Sequence, residues 1–376
     1  MIYLDHNATA PLHPAARAAM LAVLDAGAGN PSSVHAPGRV ARAALERARR
    51  AIAAALDVPA AGLCFTSGAT EANNLALLGA VPDAAGAHVL AAPIEHVSVL
   101  GPLRELERRG ATIEWLPVDA AGRVLAADVA ARLRADTALV SVGWANGEIG
   151  TVQPIADIAV ACRAGAALLH VDAAQAAGRV PIAAGLADLC TLSSHKLGGP
   201  LGIGALAVRR GVALRPLLWG GEQERGLRPG TENAAAAAGF AAALGAAMAI
   251  SDIAPLRDRL WAALAGLDGV RRFGPATGGL PNTLCVGFAG LAGEAVVAAL
   301  DLDGVAASVG SACAAGAGEP SHVLLAIGCD DATARQAVRF SLGPATTAGE
   351  IEAAGAVVRR AIGRMRQRGA GRAAVG

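Results

Sequence analysis

Between about residues 60 and 210, short apolar runs alternate with segments of helical periodicity. The runs are Leu63–Thr66, His88–Leu90, Thr112–Val118, Leu139–Trp144, Ala167–Val171, Leu189–Leu192 and Ala205–Val208. Strand-length runs separated by helical patterns predict βαβ units and a mainly parallel sheet, so the expected class is α/β. Ligands in such sheets sit where strands end and helices begin, which makes the polar residues just past each run the candidates for chemistry. Further on, the uncharged stretch Ala234 to Ile250 is mostly Ala and Gly and slightly too short for a bilayer, so it predicts a buried helix. Near Asp252 to Pro255 that pattern stops and a second helix, Leu256 to Leu267, begins, marking a candidate domain boundary. No internal repeat is visible.

Composition narrows the function classes. A chain of 376 residues exceeds what one core usually serves, and 54% hydrophobic residues are ample for a large domain and a smaller one. The net charge of +1 makes no electrostatic case for nucleic acid or an anionic membrane. Arg359, Arg360, Arg364, Arg366, Arg368 and Arg372 make the C-terminus locally basic, which reads as a solvated helix face with a frayed tail, or as a partner-docking surface. Met1 to His6 show neither the basic nor the apolar region of a secretory leader, so the expected location is cytoplasmic. The six cysteines lack metal-type or paired spacing, and no metal is expected. Cys64, Cys162, Cys190 and Cys285 lie in apolar segments as small core residues.

Of 32 basic residues only one, Lys196, is a lysine. Arginine stays protonated and forms no imine, whereas a lysine of lowered pKa suits Schiff-base chemistry; a lone lysine is also compatible with a plain surface position. Lys196 follows a predicted strand end and precedes the glycine-rich Leu197 to Gly202, where backbone can approach a ligand. Asp172, after the run Ala167–Val171, could hold a pyridinium nitrogen protonated, and Gln175 could donate to a phenolate oxygen; the competing role for Asp172 is a helix cap. Thr66 to Glu71 joins a strand to a helix, so the backbone at Ala69 and the Thr70 hydroxyl can face a phosphate, although no Walker lysine follows. His96 closes another run and could stack on a ring or move protons, or be structural. Cys313 stands in Gly310 to Pro320 among small, flexible residues and reads as an exposed thiol. Cys329 also looks exposed, but its neighbours Asp330 and Asp331 would oppose a thiolate.

Over nearly its full length the chain resembles the group I cysteine desulfurases, the NifS/IscS-like branch of the class V aminotransferases. The residues that carry the resemblance are Tyr3 to Asp5 with Ala8-Thr9; Asn30 to Ser33; Thr66 to Glu71; Glu95-His96; Asn146 with Glu148 to Gly150; His170 to Asp172; His195-Lys196; Gln223 to Gly226 with Gly230 to Asn233; Gly310 to Cys313 with Glu319 to Ser321; and Arg339 to Gly343. The resemblance implies the fold-type I architecture of pyridoxal 5′-phosphate enzymes. Residues 14–254 would form the large cofactor-binding domain, and residues 1–13 with 255–376 a smaller α+β domain carrying the Cys313 loop. It implies a homodimer with active sites at the interface, and conversion of L-cysteine to L-alanine with sulfur left on Cys313 as a persulfide. A sulfur acceptor or iron–sulfur scaffold protein would be the partner.

By position, Lys196 is then the Schiff-base lysine, Asp172 the ring-nitrogen partner, Gln175 the phenolate contact and His96 the stacking residue. Ala69, Thr70, Ser193 and His195 would hold phosphate, joined by Thr231 from the other subunit; Asn146 and Arg339 would bind the substrate carboxylate. The chain departs from the pattern at Gly147, Ser194, Leu201 and Glu222, none of which removes a catalytic group. A related class V lyase or aminotransferase, for instance one acting on selenocysteine, with Cys313 incidental, and a non-catalytic sulfur-carrier scaffold are the alternatives.

Overall fold

The computed structural model describes residues 1–27, 29–248, 253–310 and 319–373, with side chains to residue 367. The chain opens on strand β1 (Ile2–Tyr3) and helices α1 (Pro14–Asp25) and α2 (Ala36–Ala55). Strands β2 (Leu63–Thr66), β3 (His88–Ala91), β4 (Thr112–Trp115), β5 (Thr137–Ser141), β6 (Leu168–Asp172), β7 (Leu189–Ser193) and β8 (Gly204–Val208) follow. Between them lie α3 (Ala69–Ala80), α4 (Val97–Arg108), α5 (Ala126–Arg132) and α6 (Ile155–Ala164). These strands form one sheet in the order β2-β8-β7-β6-β5-β3-β4. Its ladders are parallel from β7 through β4, and only β8 runs against its neighbours. The α/β class is therefore as the apolar runs predict.

The alternation of strand and helix is less complete than the pattern suggests. Only a 3-10 turn, Ala184–Leu186, lies between β6 and β7, and β7 returns directly into antiparallel β8. Residues 194–203 make that return with Gly198 and Gly202 at φ 79° and 77°, a backbone that suits glycine and breaks a helix. β4 stops before Pro117, which has no N–H for the ladder. β5 ends at Ser141, but the Val142 and Trp144 amides still donate to the His170 and Asp172 carbonyls of β6, so contact with that strand runs on to Trp144.

Downstream come α7 (Ala234–Ala247), α8 (Ala254–Leu264), β9 (Val270–Phe273), β10 (Thr283–Phe288), α9 (Gly293–Leu302), β11 (Val305–Ala306) and β12 (Ser308–Val309). The chain continues through α10 (His322–Ala326), α11 (Asp331–Ala334), β13 (Ala337–Ser341) and α12 (Ala348–Ala373). Helix α7 is buried as its uncharged pattern requires, and Asn233 caps it by accepting from the Ala236 amide. An antiparallel sheet, β12-β13-β10-β9, lies beyond residue 210, where the apolar-run reading ends.

Three apolar clusters hold the fold, one of them packing Val89, Leu139, Leu189 and Leu206 of the central sheet against Leu75 of α3 and Leu103 of α4; the other two are larger. One packs Leu90, Val140, Leu169, Val171 and Leu192 of the central sheet against α2, α6 and α7; the other joins Leu284, Val286, Val338 and Phe340 to Leu260, Leu300 and Val358. The N-terminal segment is stitched into the second: β1 pairs in parallel with β11, Leu4 is fully buried, and the His6 amide donates to the Ser341 carbonyl. The cysteines at 64, 162, 190 and 285 are buried, as expected. Cys329 is buried too, against expectation, because α10 and α11 fold over it and it packs with Val323, Leu324 and Ala334. On α12, Arg364 pairs with Asp303, while Arg359 and Arg366 donate to the Ala263 and Asp268 carbonyls. The side chains of Arg368 and Arg372 lie outside the described residues. Among the described residues no helix is long and apolar enough to cross a membrane.

Candidate active site

The ends of β2, β6 and β7 open on a cavity of about 740 Å³. Ala69, Thr70, His96, Asn146, Asp172, Gln175, Ser193, His195, Lys196 and Arg339, drawn from distant parts of the chain, all line it. Thr231 does not; it is exposed beyond the cavity. Cys313 lies outside the described residues, but Gly310 and Glu319, on either side of that segment, both line the cavity.

Lys196 sits in a 3-10 turn, His195–Leu197, that ends at left-handed Gly198. Across this turn lies the N-terminal segment, whose Ala10 and His13 amides donate to the His195 and Gly198 carbonyls. Lys196 Nζ donates to the carbonyls of Asn7 at 2.6 Å and Ala8 at 2.8 Å. Asn7 is itself buried and reaches three regions: its amide donates to Gly147 O at 2.9 Å and Thr283 Oγ1 at 2.8 Å, and its backbone N–H to Ser341 Oγ at 2.9 Å. Gln175 Nε2 donates to the Asn7 carbonyl at 3.1 Å, while its Oε1 and carbonyl accept from Arg179, which also donates to the Lys196 carbonyl. Burial and nearby Arg339 draw the Arg179 pKa down to about 10, still cationic at neutral pH.

Asp172, at the end of β6, is held at both oxygens. Oδ1 accepts from the Ala174 amide at 2.9 Å, so it does cap the following turn, and Oδ2 accepts from Asn73 Nδ2 at 2.8 Å. His96 begins α4 as its N-cap, with Nδ1 accepting from the Ser98 amide at 3.1 Å. Burial lowers its pKa despite the charge of Asp172, and Lys196 and His322 push the same way. Beside it, burial first and then Asp172 raise Glu95 to about 8, although the Gly143 amide donates to Oε1 at 2.7 Å. Near the entry of the Cys313 segment, burial similarly raises Glu148 to about 7; its Oε1 is buried without a hydrogen-bond partner.

At the start of α3, Gly68 is the N-cap and the next amides point out of the helix without intrahelical acceptors. A Cβ added to Gly68 would meet nothing within 4 Å, so space beside this cavity-lining backbone is open. His195, whose Nδ1 lies 3.1 Å from Thr9 Oγ1, is drawn down to about 4 by burial and by Lys196 and Arg179, so it is neutral here. Arg339 is 5% exposed; its Nη2 donates to Asp5 Oδ1 at 2.8 Å and its Nη1 to Gly147 O at 3.2 Å, leaving Nε without a partner. Asn146 is mostly committed to its own turn: Oδ1 accepts from the Glu148 and Ile149 amides and Nδ2 donates to Ile94 O, which leaves one amide hydrogen.

Sequence reasoning missed Asn7, Asn73, Ser98 and Arg179. Asn73 stands one turn after Thr70 on α3, a spacing that puts both on one side of the helix and could have drawn attention to it. Nothing in the local pattern marks Asn7.

Comparison with known proteins identifies the family of the chain. Residues 2–354 match the family described as aminotransferase class-V. A cysteine desulfurase of Cereibacter sphaeroides is 43% identical over 359 residues, 93% of each chain. The IscS-like cysteine desulfurase of Mycobacterium tuberculosis is 42% identical over 388 residues, 98% of each chain. A solved structure described as a NifS-like protein has a TM-score of 0.89 at 33% identity, covering 97% of this chain and 99% of that one. That of SspA in complex with cysteine has a TM-score of 0.82 at 33% identity, covering 92% and 100%.

Proposed function

Because the chain belongs to the class-V aminotransferase family, we propose that its cavity holds pyridoxal 5′-phosphate on Lys196 and that the protein is a cysteine desulfurase. L-cysteine is converted to L-alanine, and the sulfur stays on Cys313 as a persulfide. The observation that carries this reading is the convergence on one cavity of the only lysine, a doubly held carboxylate, the open start of a helix and a buried arginine, beside both ends of the segment bearing Cys313.

The donor set fits the cofactor. Lys196 would provide the amine, Asp172 would hold the ring nitrogen, and Gln175, with the amide hydrogen not given to Asn7, would serve the phenolate oxygen. The backbone of Ala69 with Thr70, Ser193 and His195 would hold the phosphate at a helix N-terminus. His96 would lie against the ring. The chemistry supplied by bound pyridoxal phosphate is an electron sink at the substrate's Cα, which loosens bonds at Cα and Cβ. Arg339 and the remaining amide hydrogen of Asn146 orient the substrate carboxylate, the arginine as a fork. Lys196 Nζ takes the Cα proton and returns it. Cys313 as thiolate attacks the substrate sulfur: an S–S bond forms, the C–S bond breaks, its electron pair goes to carbon, and a proton completes alanine. Glu95, uncharged at neutral pH, places no second anion beside His96.

Residues 14–254 are read as the large cofactor-binding domain, and 1–13 with 255–376 as the smaller one. Thr231, exposed and outside its own cavity, reaches the phosphate of a second copy in a homodimer. Leu218 at 52% and Trp219 at 77% exposure in the preceding loop favour a face covered by another chain. The persulfide passes to an iron–sulfur scaffold or another thiol acceptor. Buried, unpaired cysteines among the described residues suit a cytoplasmic location.

Mass spectrometry after incubation with L-cysteine under non-reducing conditions tests the reading. One added sulfur on the Cys313 peptide is expected, and Cys313→Ala should stop alanine release while Lys196→Ala abolishes the visible absorption of the bound cofactor. Unchanged turnover in Cys313→Ala would refute the sulfur-transfer step.

A further inference from the structure

We propose that Asn73 is a positioning residue that couples Asp172 to His96 and fixes where the protons of the groups around the cofactor ring stand. The proposal rests on reading the cavity as a pyridoxal phosphate site.

Asn73 is fully buried on α3, and its Nδ2 donates to Asp172 Oδ2 at 2.8 Å and to Ser98 Oγ at 2.9 Å. A primary amide has two hydrogens, so both are committed. The opposite amide orientation would set Oδ1 against the carboxylate oxygen of Asp172, an acceptor against an acceptor. With Oδ1 thus defined as the acceptor, His170 Nε2, 3.2 Å away, bears the hydrogen, and His170 Nδ1 accepts from Ser141 Oγ at 2.9 Å. Burial holds His170 neutral, with its pKa down to about 4.

The other branch runs to His96. The Ser98 amide can only donate, so His96 Nδ1 is an acceptor and the imidazole hydrogen is on Nε2. Ser98 Oγ receives the hydrogen of Asn73 and lies 2.8 Å from the same Nδ1, to which it sends its own hydrogen. A directed chain therefore links the group facing the ring nitrogen to the group on the ring face: Asp172 accepts from Asn73, Asn73 donates to Ser98, and Ser98 donates to His96. The charged and titratable groups around His96 include Asp172, which favours its protonation, Lys196 and His322, which oppose it, and its chain neighbour Glu95, which burial raises to about 8. Buried side-chain networks of this kind act as a unit because each bond polarises the next.

Asn73→Asp is the decisive variant, since it keeps the shape and the acceptor for His170 but replaces both donors. Asp172 would then face a second carboxyl, and two carboxyls in contact cannot both stay ionised. The Ser98 hydroxyl would turn to the new acceptor and leave His96 Nδ1 with the backbone amide alone. In the reconstituted enzyme, the pyridoxal phosphate dissociation constant is expected to rise about tenfold or more, and the pH midpoint of the visible band to move by about one unit. In cofactor-free protein labelled with ¹⁵N-histidine, His170 should keep its Nε2–H signal while the His96 imidazole signals move; Asn73→Leu should disturb both. Wild-type cofactor affinity and an unchanged band profile in a folded Asn73→Asp protein would overturn the proposal, as would a His96 hydrogen on Nδ1 in the wild type. If the wild type took up no pyridoxal phosphate, the cofactor reading would fall, and the imidazole spectra would still decide the Asn73 chain.

Discussion

Arg339 is the clearest case of a single residue whose surroundings dictate its use. Its guanidinium is 95% shielded, yet Asp5 and one carbonyl occupy only its Nη atoms and Nε has no partner. A buried cation with spare donors is suited to an anionic group of the substrate. Lysine keeps the charge but loses the fork, so Arg339→Lys is expected to raise the KM for L-cysteine by roughly tenfold to a hundredfold, from about 1.5–3 kcal/mol of lost charge-assisted hydrogen bonding. Steady-state alanine release checks this, and a change confined to kcat would argue against a carboxylate contact. Lys196, Asp172 and His96 were legible because each follows an apolar run, where an α/β sheet leaves its ligand-facing residues. Asn73 was not, because its use depends on Asp172, 99 positions away, and Asn7 was not, because its backbone partner is Ser341, 334 positions away.

At the level of elements, the end of the cavity proposed for phosphate depends on how closely β8 approaches the β2–α3 turn. A Cβ at Gly204 would stand 2.6 Å from the Gly68 carbonyl carbon and 2.7 Å from the Leu192 carbonyl oxygen, backbone atoms on both sides. Neither can swing away as a side-chain tip would. Gly204→Ala is therefore expected to displace the start of α3 and weaken pyridoxal phosphate binding about tenfold or more, with a modest loss of stability. Equilibrium dialysis and thermal melting separate the two effects; unchanged affinity would show that the turn tolerates the shift. The apolar runs located β2 through β8 within a few residues, but the reversal of β8 was not readable from hydrophobicity. Burial on both faces looks the same whichever way a strand runs.

For the whole molecule, buried titratable groups predict a stability profile with pH in the cofactor-free protein. His6, His170 and His195 are all drawn down to about 4, chiefly by burial. The unfolded chain therefore binds more protons than the native one between about 4 and 6.5, and stability climbs with pH across that window. Glu95 and Glu148 act oppositely. Raised to about 8 and about 7, they keep protons in the native state that the unfolded chain has released above about 4.5, so stability falls as pH rises through those values. With His96, whose pKa burial also lowers, four rising contributions outweigh two falling ones up to about pH 6.5, and only the falling ones remain above it. A melting-temperature maximum near pH 6.5, with a decline toward pH 8, is the expected result. Glu95→Gln should flatten the decline by about 1.4 kcal/mol per pH unit. A melting temperature still climbing from pH 6.5 to 8 would contradict the assignment.

The carbonyls of Asn7 and Ala8 that receive Lys196 are anchored partly by a partner far along the chain. The Asn7 amide needs Ser341 Oγ, and the His6 amide needs the Ser341 carbonyl. On a ribosome, the central sheet and its lysine emerge well before residue 341, so the first eight residues meet Gly147, Gln175 and Lys196 before their Ser341 partners exist. Completion of the Lys196 surroundings therefore awaits the synthesis of β13. Translation arrested before β13 should yield a folded central sheet that cannot hold its lysine ready.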